Sequence, residues 1–239
     1  MKTVYWAPWD RIDLLEPMYL GFTEPVNVLE DLQKRQNKEN NQDNFLNCPA
    51  FVNSSKNLFM LNSPVNIDVD IFPDHLRNNL SDNIPFNERN FILKQPSLLN
   101  AYTVRSAGSW IFFCEEELEI ESMHPYMHKT PVSDAGFYVP GRFDISQWFR
   151  PLEYAFQMHE GNTNFKVGQG DPLMYVNFKT NEKVKLQKFF LTEELLSLSM
   201  SCVRLKNTWK QRNLNKLYDI FKGSKIKNQL IKKIKENLI

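Results

Sequence analysis

Along the first 190 residues the apolar positions fall in short unbroken runs or on every second residue, the period of a β-strand. Beyond Leu191 they recur at helical spacing. The clearest alternation sets Val65, Ile67, Val69 and Ile71 against Asn66, Asp68 and Asp70, a strand with one wet face that Pro73 closes. Ser109-Trp-Ile-Phe-Phe-Cys114 has no polar face and predicts a strand covered on both sides. Glu117, Glu119 and Glu121 then share one parity, and Leu118, Ile120, Ser122 and His124 the other. The glutamates should face water, with His124 ending the inward row. His128 keeps its parity but lies beyond the break at Pro125.

Residues 4–9 predict a short strand that Pro8 either ends or confines to a sheet edge, with Trp6 and Trp9 packing there. Further strands are expected at 57–61, 91–94, 102–104, 137–139, 143–145, 152–158 and 184–189. Residues 165–178 read as strand, tight turn, strand. A short helix is expected over Val28 to Arg35. Residues 33–44 contain no apolar side chain and are expected to be a mobile polar loop. After Leu191, Thr192 is a good N-cap for a helix opening on Glu193 and Glu194. Two more helical segments follow, separated by Gly223-Ser224. Helices this short depend on packing an apolar face, so Leu217, Phe221, Leu230 and Ile234 should be buried against the β core or a second copy of the chain. The expected fold is mainly β: a jelly-roll or cupin-like β-sandwich over residues 1–190, then a C-terminal α-helical appendage over 191–239.

Composition adds little until charge is divided along the chain. The net charge is +1, but from Val203 onward eleven Lys and Arg face two acids, giving +9 there and −8 in the remainder. Lys225, Lys227, Lys232, Lys233 and Lys235 could contact phosphates. With no aromatic platform among them, they are expected to form the solvated face of a packed helix, so nucleic acid is not expected as a partner. No run reaches the ~18 apolar residues of a membrane span, and the first residues lack an apolar leader core, so a protein of the cytoplasm is expected. Three cysteines without metal-site spacing, Cys48, Cys114 and Cys202, are expected as reduced thiols, with Cys114 made inert by burial.

The chemically most suggestive group is His124-Pro-Tyr-Met-His128, with Asp144, His159 and Glu160 as possible companions. Two neutral imidazoles and a carboxylate with open positions suit Fe(II), so His124, His128 and Asp144 are the candidate metal ligands. The His-x-Asp pair of jelly-roll oxygenases is absent, as is His-x-His followed by Glu. The competing expectation places His124 in a core hydrogen bond and His128 in an exposed turn. Arg150, between Phe149 and Pro151, could clamp a substrate carboxylate, with Tyr126 as a second ligand contact. Alternatively Arg150 makes a structural ion pair with Asp144 or Glu153. Gly168 and Gly170 do not form a phosphate loop, because Pro172 and the aromatic alternation announce a strand rather than a helix. No Gly-x-Ser-x-Gly occurs, so hydrolytic triad chemistry has no support.

At Cys48-Pro-Ala50, Glu115-Glu-Glu-Leu118, His124-Pro-Tyr126, Gly141-Arg-Phe-Asp-Ile145, Trp148-Phe-Arg-Pro151 and Gly170-Asp-Pro-Leu173 the chain resembles uncharacterised proteins carried by marine tailed bacteriophages and some bacteria. The likeness spans roughly residues 48 to 178. The Gly-Asp-Pro turn is also similar to turns in cupin-like jelly rolls. The resemblance implies a soluble phage-type binding or structural protein without catalysis. It would act in the host cytoplasm if phage-encoded, on a small molecule, a protein or a second copy of itself. The alternative is a non-haem Fe(II) cupin-like oxygenase using the His/His/carboxylate site, and function must be argued from that site.

Overall fold

The computed structural model describes residues 1–9, 22–36, 44–72, 75–80, 91–94, 103–106, 110–152, 154–208 and 214–239. Among them the chain runs β1 (Lys2–Pro8), β2 (Val26–Asn27), α1 (Val28–Arg35), a 3-10 turn (Phe45–Asn47), α2 (Pro49–Ser55), β3 (Leu58–Asn62), β4 (Ile67–Ile71), β5 (Leu76–Asn78), β6 (Phe91–Lys94) and β7 (Thr103–Ser106). It continues through β8 (Trp110–Cys114), β9 (Glu119–Met123), α3 (Pro131–Ala135), β10 (Gly136–Val139), β11 (Gly141–Asp144), β12 (Tyr154–Met158), β13 (Asn164–Val167), β14 (Pro172–Phe178) and β15 (Val184–Lys188). It closes with α4 (Glu193–Thr208), α5 (Leu214–Lys222) and α6 (Lys225–Glu236). The chain is therefore mainly β, with several sheets and a few helices.

The strands form four sheets: β15-β1-β8, β10-β12-β7-β6, β11-β9-β14-β3-β2 and β13-β4-β5. Their inner faces share one core that includes Val4, Trp6, Leu61, Val69, Phe112, Ile120, Phe156, Phe165, Val176 and Phe178. The period-2 pattern explains the partition. In β4, Ile67, Val69 and Ile71 are buried while Asp68 and Asp70 turn outward. In β9, Ile120 and Ser122 point inward and Glu119 outward, and Glu121 pairs with Lys179. Every residue of β8 is buried, as its unbroken apolar run requires. Trp110, Phe112 and Cys114 join the shared core, and Ile111 and Phe113 face the other way.

β1 is not an edge strand. It lies between a parallel neighbour, with Lys2 opposite Val184, and an antiparallel one, with Val4 opposite Cys114. Pro8, opposite Trp110, simply ends it. Trp6 is core, at 2% exposure. Residues 165–178 do give strand, turn, strand, but β13 pairs with β4 and β14 with β9 and β3, so the turn crosses between sheets. Two glycines permit it. Gly170 has φ +83°, and a Cβ on Gly168 would stand 2.8 Å from Asp171 Oδ2, the atom that accepts the Gly168 N–H. The connection from β14 to β15 is pinned by buried Asn57. Its amide donates to the carbonyls of Thr180 and Glu182, both at 2.8 Å, and its Oδ1 accepts the Val184 N–H at 3.1 Å.

The outer face of the β15-β1-β8 sheet is covered by the three C-terminal helices. Tyr5, Ala7, Ile111, Phe113, Trp148 and Phe149 form one cluster with Leu195, Leu217, Phe221, Leu230 and Ile234. The docking expected for Leu217, Phe221, Leu230 and Ile234 is observed, while Lys225, Lys232 and Lys235 stay exposed. Thr192 caps α4 by accepting the Leu195 N–H at 3.3 Å. Lys233 pairs with Glu194, and Lys235 Nζ lies 2.8 Å from Glu115 Oε1. After α6 the chain turns back along β15. The Phe190 N–H donates to Asn237 O at 2.8 Å and the Ile239 N–H to Lys188 O at 3.0 Å, with Leu238 antiparallel to Phe189.

Part of the polar stretch 33–44 is helical. Residues 33–35 complete α1, whose last turn carries Lys34 and Arg35, and Asn44 caps the 3-10 turn through the Leu46 N–H at 2.9 Å. Residues 37–43 lie outside the described residues. Among the described residues no helix is long and apolar enough to cross a membrane. Cys48 is an exposed free thiol. Cys114 and Cys202 are buried, and burial pushes both thiols up, Cys202 to about 11.

Candidate functional site

Strand β9 ends at Met123, and Pro125 turns the chain sharply: the Tyr126 N–H donates to His124 O at 2.9 Å and the His128 N–H to Pro125 O at 3.2 Å. The turn resets the direction of the side chains. His128 passes beneath α1 instead of projecting into solvent, and it is buried, contrary to the exposed turn expected for it. α1 packs Val28 on Leu58, Met60 and Tyr175, the outward-facing residues of β3 and β14, so the five-stranded sheet has a small second core on its far side.

Within that layer a polar chain connects helix to sheet. His128 Nε2 lies 2.9 Å from Asp31 Oδ2, and Nδ1 is hydrogen-bonded to the Tyr175 hydroxyl. Asp31 also takes Arg35 Nε at 2.6 Å, one turn further along α1. An ionised carboxylate only accepts, so Nε2 of His128 carries a proton and donates to Asp31, while Nδ1 is engaged by the Tyr175 hydroxyl. Burial dominates at Tyr175 and pushes its hydroxyl far up, so it stays protonated. Burial also pushes the Asp31 carboxyl up, but the hydrogen bonds from His128 and Arg35 outweigh it and hold the group below its ordinary 3.8. Tyr175 is fully buried, so no solute reaches its hydroxyl, and the arrangement works as a strut holding α1 on the sheet.

The sign of the Asp31 shift sets a pH dependence. A carboxyl depressed by folding adds stability that is complete above its unfolded value, near 4, and is lost as the pH falls through the lower folded value. Acid titration followed by protection of the α1 amides should therefore show this helix loosening below about pH 4. The same titration of Asp31→Asn should be flatter in that window. Equal slopes for the two proteins would remove Asp31 from the account.

The other sequence candidates are dispersed. His124 Nε2 is 2.9 Å from Ser133 Oγ, and its Nδ1 has no hydrogen-bond partner among the described residues. Burial, reinforced by His159, lowers its pKa. Asp144 accepts the Ser146 N–H and the Gln147 amide, each at 2.7 Å, and the Leu118 N–H at 3.5 Å, which makes it the organiser of its own turn. The Arg150 guanidinium lies over the Phe143 ring, 5.2 Å from its centroid. Tyr126 is 58% exposed, its ring edge-on to Tyr175 at 5.5 Å. His159 and Glu160 are exposed. His124, His128 and Asp144 do not gather: among the described residues no three His, Cys, Asp or Glu side chains are placed to hold a metal ion.

Comparison with protein-family models, with curated proteins and with solved structures finds no match for this chain.

The polar cluster that does form contains three residues the sequence does not single out. Asp31 and Arg35 carry a faint signal, opposite charges four apart on an expected helix. Tyr175 looks like any aromatic in an apolar strand, and 97 residues separate Asp31 from His128.

Proposed function

We propose that this chain is a binding or structural protein of the phage type, without catalysis, built on a jelly-roll-like β core and working in the cytoplasm. The observation that carries the reading is the occupancy of His128. A metal ligand must offer a nitrogen lone pair. One ring nitrogen of His128 is tied to the Tyr175 hydroxyl and the other donates to Asp31, so the central residue of a His/His/carboxylate site is used as a structural bolt. The antiparallel pairing in three sheets around one core supports the jelly-roll likeness, while the parallel β1–β15 pair is a departure from it.

Iron analysis of protein purified without a histidine tag tests the proposal against the oxygenase alternative. Iron well below one equivalent, unchanged in His124→Ala, is the expected result. Near-stoichiometric iron that is lost in His124→Ala would overturn the reading.

A further inference from the structure

We infer that the tip of the α5–α6 hairpin is a docking surface for an anionic membrane leaflet, with Ile220 and Ile226 entering the boundary of headgroups and acyl chains and the neighbouring lysines lying among the phosphates. The inference goes beyond the reading above and uses none of the residues on which that reading rests.

The hairpin has two faces. Leu217, Phe221, Leu230 and Ile234 pack on the β15-β1-β8 sheet, yet Ile220 is 63% and Ile226 48% exposed. They flank the Gly223-Ser224 turn closely, one on each helix, and so lie at the same end of the hairpin. The turn itself is braced. The Gly223 N–H donates to Asp219 O at 3.0 Å, and the Ser224 N–H and hydroxyl both donate to Phe221 O, at 3.1 and 2.7 Å. Two large apolar side chains are thereby held out in water on a fixed tip, where a merely solvated face would carry polar ones.

The charge at this end is positive and uncompensated. Lys232, Lys233 and Lys235 pair with Glu236, Glu194 and Glu115, whereas exposed Lys216, Lys222 and Lys225 meet no carboxylate at ion-pair distance among the described residues. Asp219 opposes them, but it is the only acid between Leu214 and Lys235, against seven lysines. Lys225 and Lys227 also occupy the first turn of α6, which has no acidic residue, so they add to the positive end of the helix dipole where a carboxylate would offset it. The kind of cation specifies the partner. Between Leu214 and Ile239 there is no arginine, the residue enriched at protein interfaces and suited to the bidentate grip on nucleic-acid phosphates. Lysine on its long apolar stem, beside exposed isoleucine, is the combination that snorkels at a lipid surface. An anionic leaflet attracts each such lysine by about fivefold in partitioning without demanding a fixed geometry.

Co-sedimentation of the full chain with vesicles is the test. Vesicles of phosphatidylcholine with about one-third phosphatidylglycerol should bind the protein, and phosphatidylcholine alone should not. Raising the salt from about 0.1 to about 0.5 M should weaken the binding. Lys222→Glu with Lys225→Glu should weaken it at least about tenfold. Ile220→Ser with Ile226→Ser changes no charge and, at exposed positions, should leave the melting temperature alone, yet it should weaken binding about tenfold. Tryptophan emission of Ile226→Trp should move to the blue on the anionic vesicles and stay put on the neutral ones. Protein left in solution beside anionic vesicles, equal binding to both kinds, or isoleucine variants that bind as the parent does would each overturn the proposal. So would preference for a short DNA duplex over the vesicles, which would give the surface to nucleic acid, or a dimer of the parent that Ile220→Ser dissolves, which would give it to a second copy.

Discussion

Deleting residues 208–239 should leave a protein that aggregates or melts without a sharp transition. The segment contains Leu217, Phe221, Leu230 and Ile234, none more than 6% exposed, and each large apolar side chain withdrawn from water is worth about 2 kcal/mol. Four of them approach the whole stability of an ordinary domain, about 5–15 kcal/mol. The loss falls on both partners, because the deletion bares Tyr5, Ile111, Phe113, Trp148 and Phe149 on the β15-β1-β8 sheet. It also strips Asn237 and Ile239 from the end of β15 and removes the lysines paired with Glu194 and Glu115. Size-exclusion chromatography and thermal unfolding are the measurements. A truncated protein that stays monomeric with an unchanged melting temperature would show that the helices are a detachable basic arm.

His128→Ala should cost about 3 kcal/mol, because it strands two buried partners at once, the Tyr175 hydroxyl and the Asp31 carboxylate. The damage should centre on α1, whose amide protection falls first. Tyr175→Phe removes one hydrogen bond and leaves no orphan on its own side, so it should cost less, about 1 kcal/mol. The double variant should fall short of the sum, since the two residues share a bond. An unfolding free energy from urea titration within about 0.5 kcal/mol of the parent for His128→Ala would sink the strut assignment. A variant that unfolds normally but has lost a bound metal would instead point to the oxygenase.

Elements whose side chains report a single environment were legible in the sequence. β4 alternates because one face is wet, β8 is uniformly apolar because both faces are covered, and α1 and α4 announce themselves through caps and spacing. Pairing was not legible. Nothing local to Lys2–Pro8 says that it lies beside Val184–Lys188, or that the pair is parallel. α2 and α3, seven and five residues long, are too short for a helical period to declare itself. At the site, the break at Pro125 put His128 in a turn, and a turn residue reads as exposed, whereas α1 covers this turn and buries it. Its partners Asp31 and Tyr175 come from other layers, and only tertiary packing brings the three together.

The parallel partnership of β1 and β15 also constrains the order of events at the ribosome. β1 leaves the exit tunnel before both of its neighbours, the antiparallel one following at Trp110–Cys114 and the parallel one only at Val184–Lys188. Until then Tyr5 and Trp6, which end up on opposite faces of one sheet, have nothing durable to pack against, and closing such distant contacts is slow. A nascent chain paused before residue 184 would carry a sticky, half-paired strand, the kind of segment that chaperones hold. Moving Lys2–Pro8 to the far end of the chain by circular permutation, with a linker sized to its parallel placement, should shorten that wait and speed refolding.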